Sequence, residues 1–205
     1  MIFSLPLDLF VLSVVVAANL ILGFLVFYND SKSATNRLFL LLTTSILVWS
    51  IVNFYSYNAP NRELILLSAR LVLFFAVVFA TLFFLLIHTF PSKSILLSRS
   101  KLAGLILLSC FVMLLTLTPF VFKGLKESSE NIVTSPIVAP GMILFALIIA
   151  FYDLGGIFLL IRKNTKANLE EKSQLKLLIY GFVIMLASIL VFNFLFPVLK
   201  SDVSL

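Results

Sequence analysis

The sequence predicts an all-α, polytopic membrane helix bundle of about six transmembrane helices with its N-terminus outside, and three observations carry that prediction. Hydrophobic residues make up 61% of the chain and charged residues only 12%, where a soluble domain carries about 25% charged residues. Mean hydropathy is +1.17, so the chain cannot cover itself with a water-compatible surface. The apolar residues lie in long runs and the basic residues in short clusters between them, which is how membrane proteins place them. The net charge of +6 therefore speaks for topology and against nucleic acid.

A helix needs about 20 mostly apolar residues to cross a ~30 Å hydrocarbon core. Six segments qualify, at 5–28, 38–57, 64–88, 102–122, 138–161 and 177–199, and together they form a single transmembrane domain over 1–205. The first reads as an uncleaved helix, although it could be mistaken for a signal peptide. Met1–Asp8 holds no Lys or Arg, and the run Leu5–Tyr28 exceeds a signal-peptide core of about 7–15 residues. Breakers separate the rest: Asn29–Arg37, Asn58–Glu63 with its Asn-Ala-Pro-Asn, Pro91–Lys101, Lys123–Ile137 and Arg162–Lys176. In the last of these, Asn168 followed by Glu171 resembles an N-cap with an acidic third helical residue, so helix six is expected to begin there. Glu171, Lys172 and Lys176 then form charged first turns, either a solvated helix end or a docking surface for a partner.

Lys and Arg fix the orientation. With the N-terminus outside, the cytoplasmic side holds ten: Lys32, Arg37, Lys93, Arg99, Lys101, Arg162, Lys163, Lys166, Lys172 and Lys176. The outer side holds four, Arg62, Lys123, Lys126 and Lys200, a clear positive-inside bias. The outer loops are short, and Lys123–Ile137 is the longest, so a stimulus has to reach the bundle, the lipid or these few loop residues.

Ionisable groups inside spans cost roughly 2.5–3.5 kcal/mol on insertion scales and mark function or a specific partner. Here they are Arg70 and His88 in helix three and Asp153 in helix five, with the amides Asn19, Asn53 and Asn193 beside them. Glu63, Arg70, Thr81 and His88 fall within roughly 20° of one another at about 100° per residue, a polar stripe along helix three. Such a stripe faces protein or a wet cavity. Helix five carries small residues, Ala139, Ala146 and Ala150, leading to Asp153, and Gly155 and Gly156 extend them.

Depth, at about 1.5 Å per residue, keeps Arg70 and Asp153 apart and gives two polar layers. Arg70, Asn53 and Asn193 form the outer one; Asp153 and Asn19 form the inner one. These residues are read as ligand-binding or sensing, against a blander reading as helix–helix glue with Arg70 snorkelling outward. His88 reads as interfacial, Cys110 as a small buried apolar residue, Tyr28, Tyr55, Tyr57 and Tyr180 as belt residues, and Trp49 as packing.

The ordered motifs resemble a known family. Asn36-Arg37-Leu38-Phe39 follows helix one, Trp49 and Asn53 lie in helix two, and Asn61 and Arg70 open helix three, which closes with His88-Thr89-Phe90-Pro91. Glu171-Lys172-Ser173-Gln174-Leu175 with Gly181 opens helix six. In this order they resemble the N-terminal seven-transmembrane sensory region of bacterial histidine kinases. The resemblance implies a module that senses a stimulus in or near the membrane and passes it to a cytoplasmic output domain. It also implies a multi-pass location in the bacterial cytoplasmic membrane. Six of the family's seven helices are recognisable, so the chain is expected either to be a piece lacking helix seven and an effector or to work as a stand-alone or partner-dependent membrane module.

Competing functions are a small membrane transporter or channel component and a membrane enzyme. The first lacks internal repeats and matched broken helices, and the second lacks clustered acid, base, nucleophile or metal ligands. A retinal Schiff base has no intramembrane Lys to form on. No enzymatic activity and no cofactor are expected. The expected partners are the lipid bilayer, a cytoplasmic signalling effector or further chain segment, and a second copy of the chain as a homodimer.

Overall fold

The computed structural model describes residues 4–126 and 136–190. Six helices and one two-stranded sheet follow in the order α1 (Ser4–Asn29), α2 (Ala34–Asn58), α3 (Arg62–Thr89), α4 (Arg99–Thr116), β1 (Phe122–Leu125), β2 (Pro136–Val138), α5 (Gly141–Lys166) and α6 (Leu169–Leu190). Among the described residues five helices, α1 to α5, are long and apolar enough to cross a membrane. The protein is an all-α polytopic bundle. Residues 191–199 of the expected sixth span lie outside the described residues.

The chain divides into two compact units, Met1–Gly156 and Ile157–Leu205. In the first, α3 lies innermost. Its buried residues include Val77, Ala80, Thr81, Phe83 to Ile87 and Thr89, whereas α1 exposes Phe10, Ile21 and Leu25 to the surroundings, Leu25 at 65%. That contrast is expected of a bundle in lipid, whose outer faces are as apolar as its interior and whose helices associate through packing and hydrogen bonds. Gly23 lets α1 approach α2, because a Cβ there would overlap the Thr43 hydroxyl.

The helix ends meet their orphan backbone groups with side chains. Asn36 Nδ2 donates to the carbonyls of Val26 at 2.8 Å and Asp30 at 3.2 Å, closing the end of α1. Arg37 Nε donates to Ser31 O at 2.8 Å across the same turn. The turn also grips the α3–α4 loop. Ala34 N–H donates to Lys93 O at 2.9 Å, the Thr35 hydroxyl donates to Ser92 O at 2.6 Å, and Lys93 Nζ meets Asp30 Oδ2 at 2.7 Å. The hydrogen bond from Lys93 holds the Asp30 carboxyl below its ordinary pKa, and the same bond raises Lys93 above its own. At the other end Asn61 caps α3, its side chain accepting from Leu64 N–H at 2.9 Å, with Glu63 favourably placed in the first turn.

Two boundaries fall short of the sequence expectation. Helix four ends at Thr116 instead of 122, and helix five begins at Gly141 instead of 138. The chain turns at Leu117–Thr118, whose N–H groups donate to Leu114 O and Leu115 O, and Pro119 lacks the N–H to continue the helix. Phe122 then opens β1, which pairs antiparallel with β2 in the register Phe122↔Val138, Gly124↔Ile137 and Leu125↔Pro136, with an irregularity between Phe122 and Gly124. An apolar run reads the same as strand or helix end, so hydropathy overshot both helices. Gly141 is required at the entry to α5, since a Cβ there would sit 2.6 Å from Phe120 O.

In the second unit, α5 runs on to Lys166, beyond the expected 161. The start of α6 carries the reciprocal bonds of a capping box. Glu171 N–H donates to Asn168 Oδ1 at 2.9 Å, and Asn168 N–H donates to Glu171 Oε2 at 3.3 Å. Helix six therefore begins at Leu169, where the Asn168–Glu171 spacing had put it, and earlier than the apolar run from 177.

Candidate functional site

Three hydroxyls meet inside the first unit. Thr81 on α3 donates to Val77 O at 2.7 Å and shares a 2.8 Å hydrogen bond with Ser109 on α4. Ser109 shares a 2.7 Å bond with the Tyr152 phenol on α5 and lies 2.9 Å from Leu105 O. Tyr152 is 0% exposed, and Thr81 and Ser109 are buried with it. A hydroxyl taken out of water needs a partner, and each of these finds one on another helix. The chain of bonds thus ties α3, α4 and α5 at one level. That level lies about 12 Å from the end of α3 at Thr89, at 1.5 Å per residue.

Aromatic packing backs the hydroxyls. Phe84 lies 5.5 Å, centroid to centroid, from Tyr152 and 4.8 Å edge-on from His88 one turn further along α3. Ala80, Phe84 and Tyr152 form the buried core here, with Leu105, Ile148 and Ile149 against it. Gly155 and Gly156 admit α3 to this seat: a Cβ on Gly155 would lie 3.2 Å from Phe84 Cε2, and one on Gly156 3.0 Å from Ile87 Cδ1. The small-residue stripe divides differently from the expectation. Ala139 is buried beside the sheet, but Ala146 and Ala150 are exposed, and it is Tyr152 and the glycine pair that meet α3. Cys110 is exposed too, next to the inward Ser109, which corrects its reading as a buried residue.

A second constellation lies at the sheet. Arg70 Nη2 donates to Phe122 O at 2.6 Å, and its Nε is buried without a hydrogen-bond partner. Arg62, two turns nearer the start of α3, donates through Nη2 to Leu125 O at 3.3 Å and Lys126 O at 3.4 Å. Two arginines of one helix therefore clasp β1 and the residue after it.

Other sequence-predicted residues are not brought together by hydrogen bonds. Asn19 Nδ2 donates to Val15 O at 2.9 Å on its own helix. Asn53 is half-buried on α2, where its carbonyl accepts from the Ser56 hydroxyl. Asp153 is half-buried on α5, one residue past Tyr152. Among the described residues the ion pair is Asp30–Lys93, and Arg70 and Asp153 form none. Asn193 lies outside the described residues. In the second unit Glu171 is engaged in its cap, Lys172 is half-buried and Lys176 is exposed. Ser109 and Tyr152 were not singled out from sequence. A tyrosine in mid-span, away from either interface, is the signal that could have found them, because its hydroxyl must be satisfied inside the bundle.

Five long apolar helices among the described residues, packed through interior hydroxyls, a glycine-seated contact and an arginine clasp on a short sheet, make this a multi-pass membrane protein. The chain belongs to the family described as the N-terminal 7TM region of histidine kinase, which matches residues 11–204. No curated protein matches it.

Proposed function

We propose that the protein is a sensory, signal-transducing module of the bacterial cytoplasmic membrane that passes a stimulus to a cytoplasmic effector and performs no catalysis of its own. The observation that carries this reading is the double attachment of α3. At one end Arg62 and Arg70 hold the sheet, and further along Thr81 is bonded through Ser109 to α4 and α5. A displacement of the sheet is thereby delivered to the interior of the bundle. The family match over 11–204 supports the same role. By the positive-inside bias the sheet faces out, and the Asp30–Lys93 latch and the basic end of α5 face the cytoplasm.

In this reading Arg70 and Asn53 receive the signal, and Asp153 and Asn19 lie at the inner level; Asn193, which the sequence groups with Arg70, lies outside the described residues. Glu171, Lys172 and Lys176 border the surface that an effector, a further chain segment or a second copy of the chain would use. The test is phosphohistidine formation in inside-out membrane vesicles of the host given labelled ATP. Deleting the chain, or introducing Arg70→Gln, is expected to change the labelling of a histidine kinase that co-purifies with it. Labelling identical in the deletion strain overturns the proposal. So does substrate flux in proteoliposomes that Asp153→Asn abolishes, which would make the protein a transporter.

A further inference from the structure

We propose that Arg70 is the binding residue of a site for an oxyanion, a carboxylate or a phosphate group, at the sheet end of the bundle. A guanidinium presents five N–H donors and stays charged at any pH the protein meets. Arg70 uses one nitrogen on Phe122 O at 2.6 Å, and its Nε–H is buried with no acceptor among the described residues. No described carboxylate pairs with it, since the ion pair among those residues is Asp30–Lys93. Glu63, the acid nearest in sequence on α3, is exposed.

A carbonyl and a water could complete the hydrogen bonds, but neither supplies charge. Arg70 as a whole is half-buried, with its Nε the fully buried atom, and a partly desolvated guanidinium without a counter-ion inside a membrane span carries a cost that an anion removes. An oxyanion meets both needs at once, because its paired oxygens match the planar fork of the guanidinium. The surroundings favour the same sign. Arg62 holds the neighbouring carbonyls of Leu125 and Lys126, and Lys123 lies exposed on β1. Arg62 has accepting partners at both carbonyls, whereas Arg70 alone carries the orphaned N–H, so Arg70 is the specific contact and the others enrich anions around it.

The role of that anion as the received signal rests on the sensory reading, whereas its binding does not, and the two are measured separately. The full chain is reconstituted in phosphatidylcholine nanodiscs and its thermal unfolding followed with inorganic phosphate or succinate added, or with phosphatidylglycerol in the bilayer. Stabilisation by a soluble anion in pure phosphatidylcholine assigns a free ligand. Stabilisation by phosphatidylglycerol alone assigns a lipid headgroup. In either case Arg70→Gln is expected to weaken the response at least ten-fold and Arg62→Gln by two-fold or less. If Arg70→Gln does not fold, Arg70→Lys keeps the charge, loses the fork and is expected to weaken binding at least three-fold. The proposal is overturned if no anion stabilises the protein or if Arg70 variants respond as the wild type does. It is also overturned if binding emerges only once Asp8, near the start of α1, and Glu127 and Glu130, which lie in sequence between β1 and β2, are neutralised, because the counter-ion is then the protein's own. Anion binding with unchanged kinase labelling retains the site and rejects the sensory reading.

Discussion

Removing the middle of the hydroxyl chain is expected to cost more than removing its end, although the middle residue is the smaller one. In Tyr152→Phe the phenol oxygen is lost, but Ser109 still has Leu105 O at 2.9 Å and Thr81 at 2.8 Å, so no buried donor is orphaned. The cost is that of one interhelical hydrogen bond, about 0.6–1.5 kcal/mol. In Ser109→Ala, Thr81 keeps Val77 O at 2.7 Å, but the Tyr152 O–H is left with Leu105 O at 3.5 Å, too long to satisfy it. A residue that is 0% exposed then carries an unsatisfied hydroxyl, which costs about 1–3 kcal/mol. The double variant removes donor and acceptor together, so it is expected to cost less than the sum of the singles by about 0.5–1.5 kcal/mol. Unfolding in mixed detergent micelles with increasing dodecyl sulfate, followed by the fluorescence of the single tryptophan, Trp49, reads all four corners of the cycle. Equal costs for Tyr152→Phe and Ser109→Ala, or additivity of the two within about 0.3 kcal/mol, the usual limit for independent sites, would refute the coupling of these hydroxyls.

Two further outcomes follow from the helix contacts and the latch. Gly23→Ala places a Cβ on the Thr43 hydroxyl and is expected to destabilise by about 1–3 kcal/mol, whereas Gly104→Ala, with nothing within 4 Å, is expected to stabilise α4 by about 0.5–1 kcal/mol; unfolding midpoints compare them. The Asp30–Lys93 latch should be pH-dependent at both extremes. The lowered carboxyl pKa makes its contribution present above the ordinary value of 3.8 and lost as pH falls through the folded value. The raised Lys93 pKa makes its contribution present below 10.5 and lost as pH rises through the folded value. Asp30→Asn is therefore expected to flatten the stability–pH curve at its acid end, and an unchanged acid limb would contradict the linkage.

Spans and helix ends were legible in the sequence because their causes are local. A hydrophobic run long enough to cross a bilayer announces itself, and Asn168 three residues before Glu171 specified the cap that the structure contains. Several residues that carry the family resemblance work locally as well: Asn36 and Arg37 close the first turn, and Asn61 caps α3. Thr81 of the α3 stripe is buried, as are its apolar neighbours Ala80 and Phe83, and Glu63 at the stripe's start is exposed; the partner of Thr81 on α4 was hidden. Ser109 is neutral and small, adjacent in sequence to the exposed Cys110, and nothing in hydropathy says which of the two turns inward. The alanines of α5 misled for a related reason. Small side chains permit close approach without demanding it, and α3 chose the glycine pair, where its bulky Phe84 and Ile87 fit. The early end of α4 was illegible because Phe120 to Phe122 are as apolar as a helix end, while their backbone serves the turn and the strand.

The signal path through α3 requires a bundle that crosses the bilayer with the Arg70 end outward and the Asp30–Lys93 latch inward. Impermeant thiol labelling of intact cells tests this directly, using single cysteines at Lys123 or Lys93 in a Cys110→Ser background. The expected result is labelling at position 123 and none at 93 until the membrane is opened. Labelling at 93 with protection at 123 would turn the bundle over and remove the signal path proposed through α3.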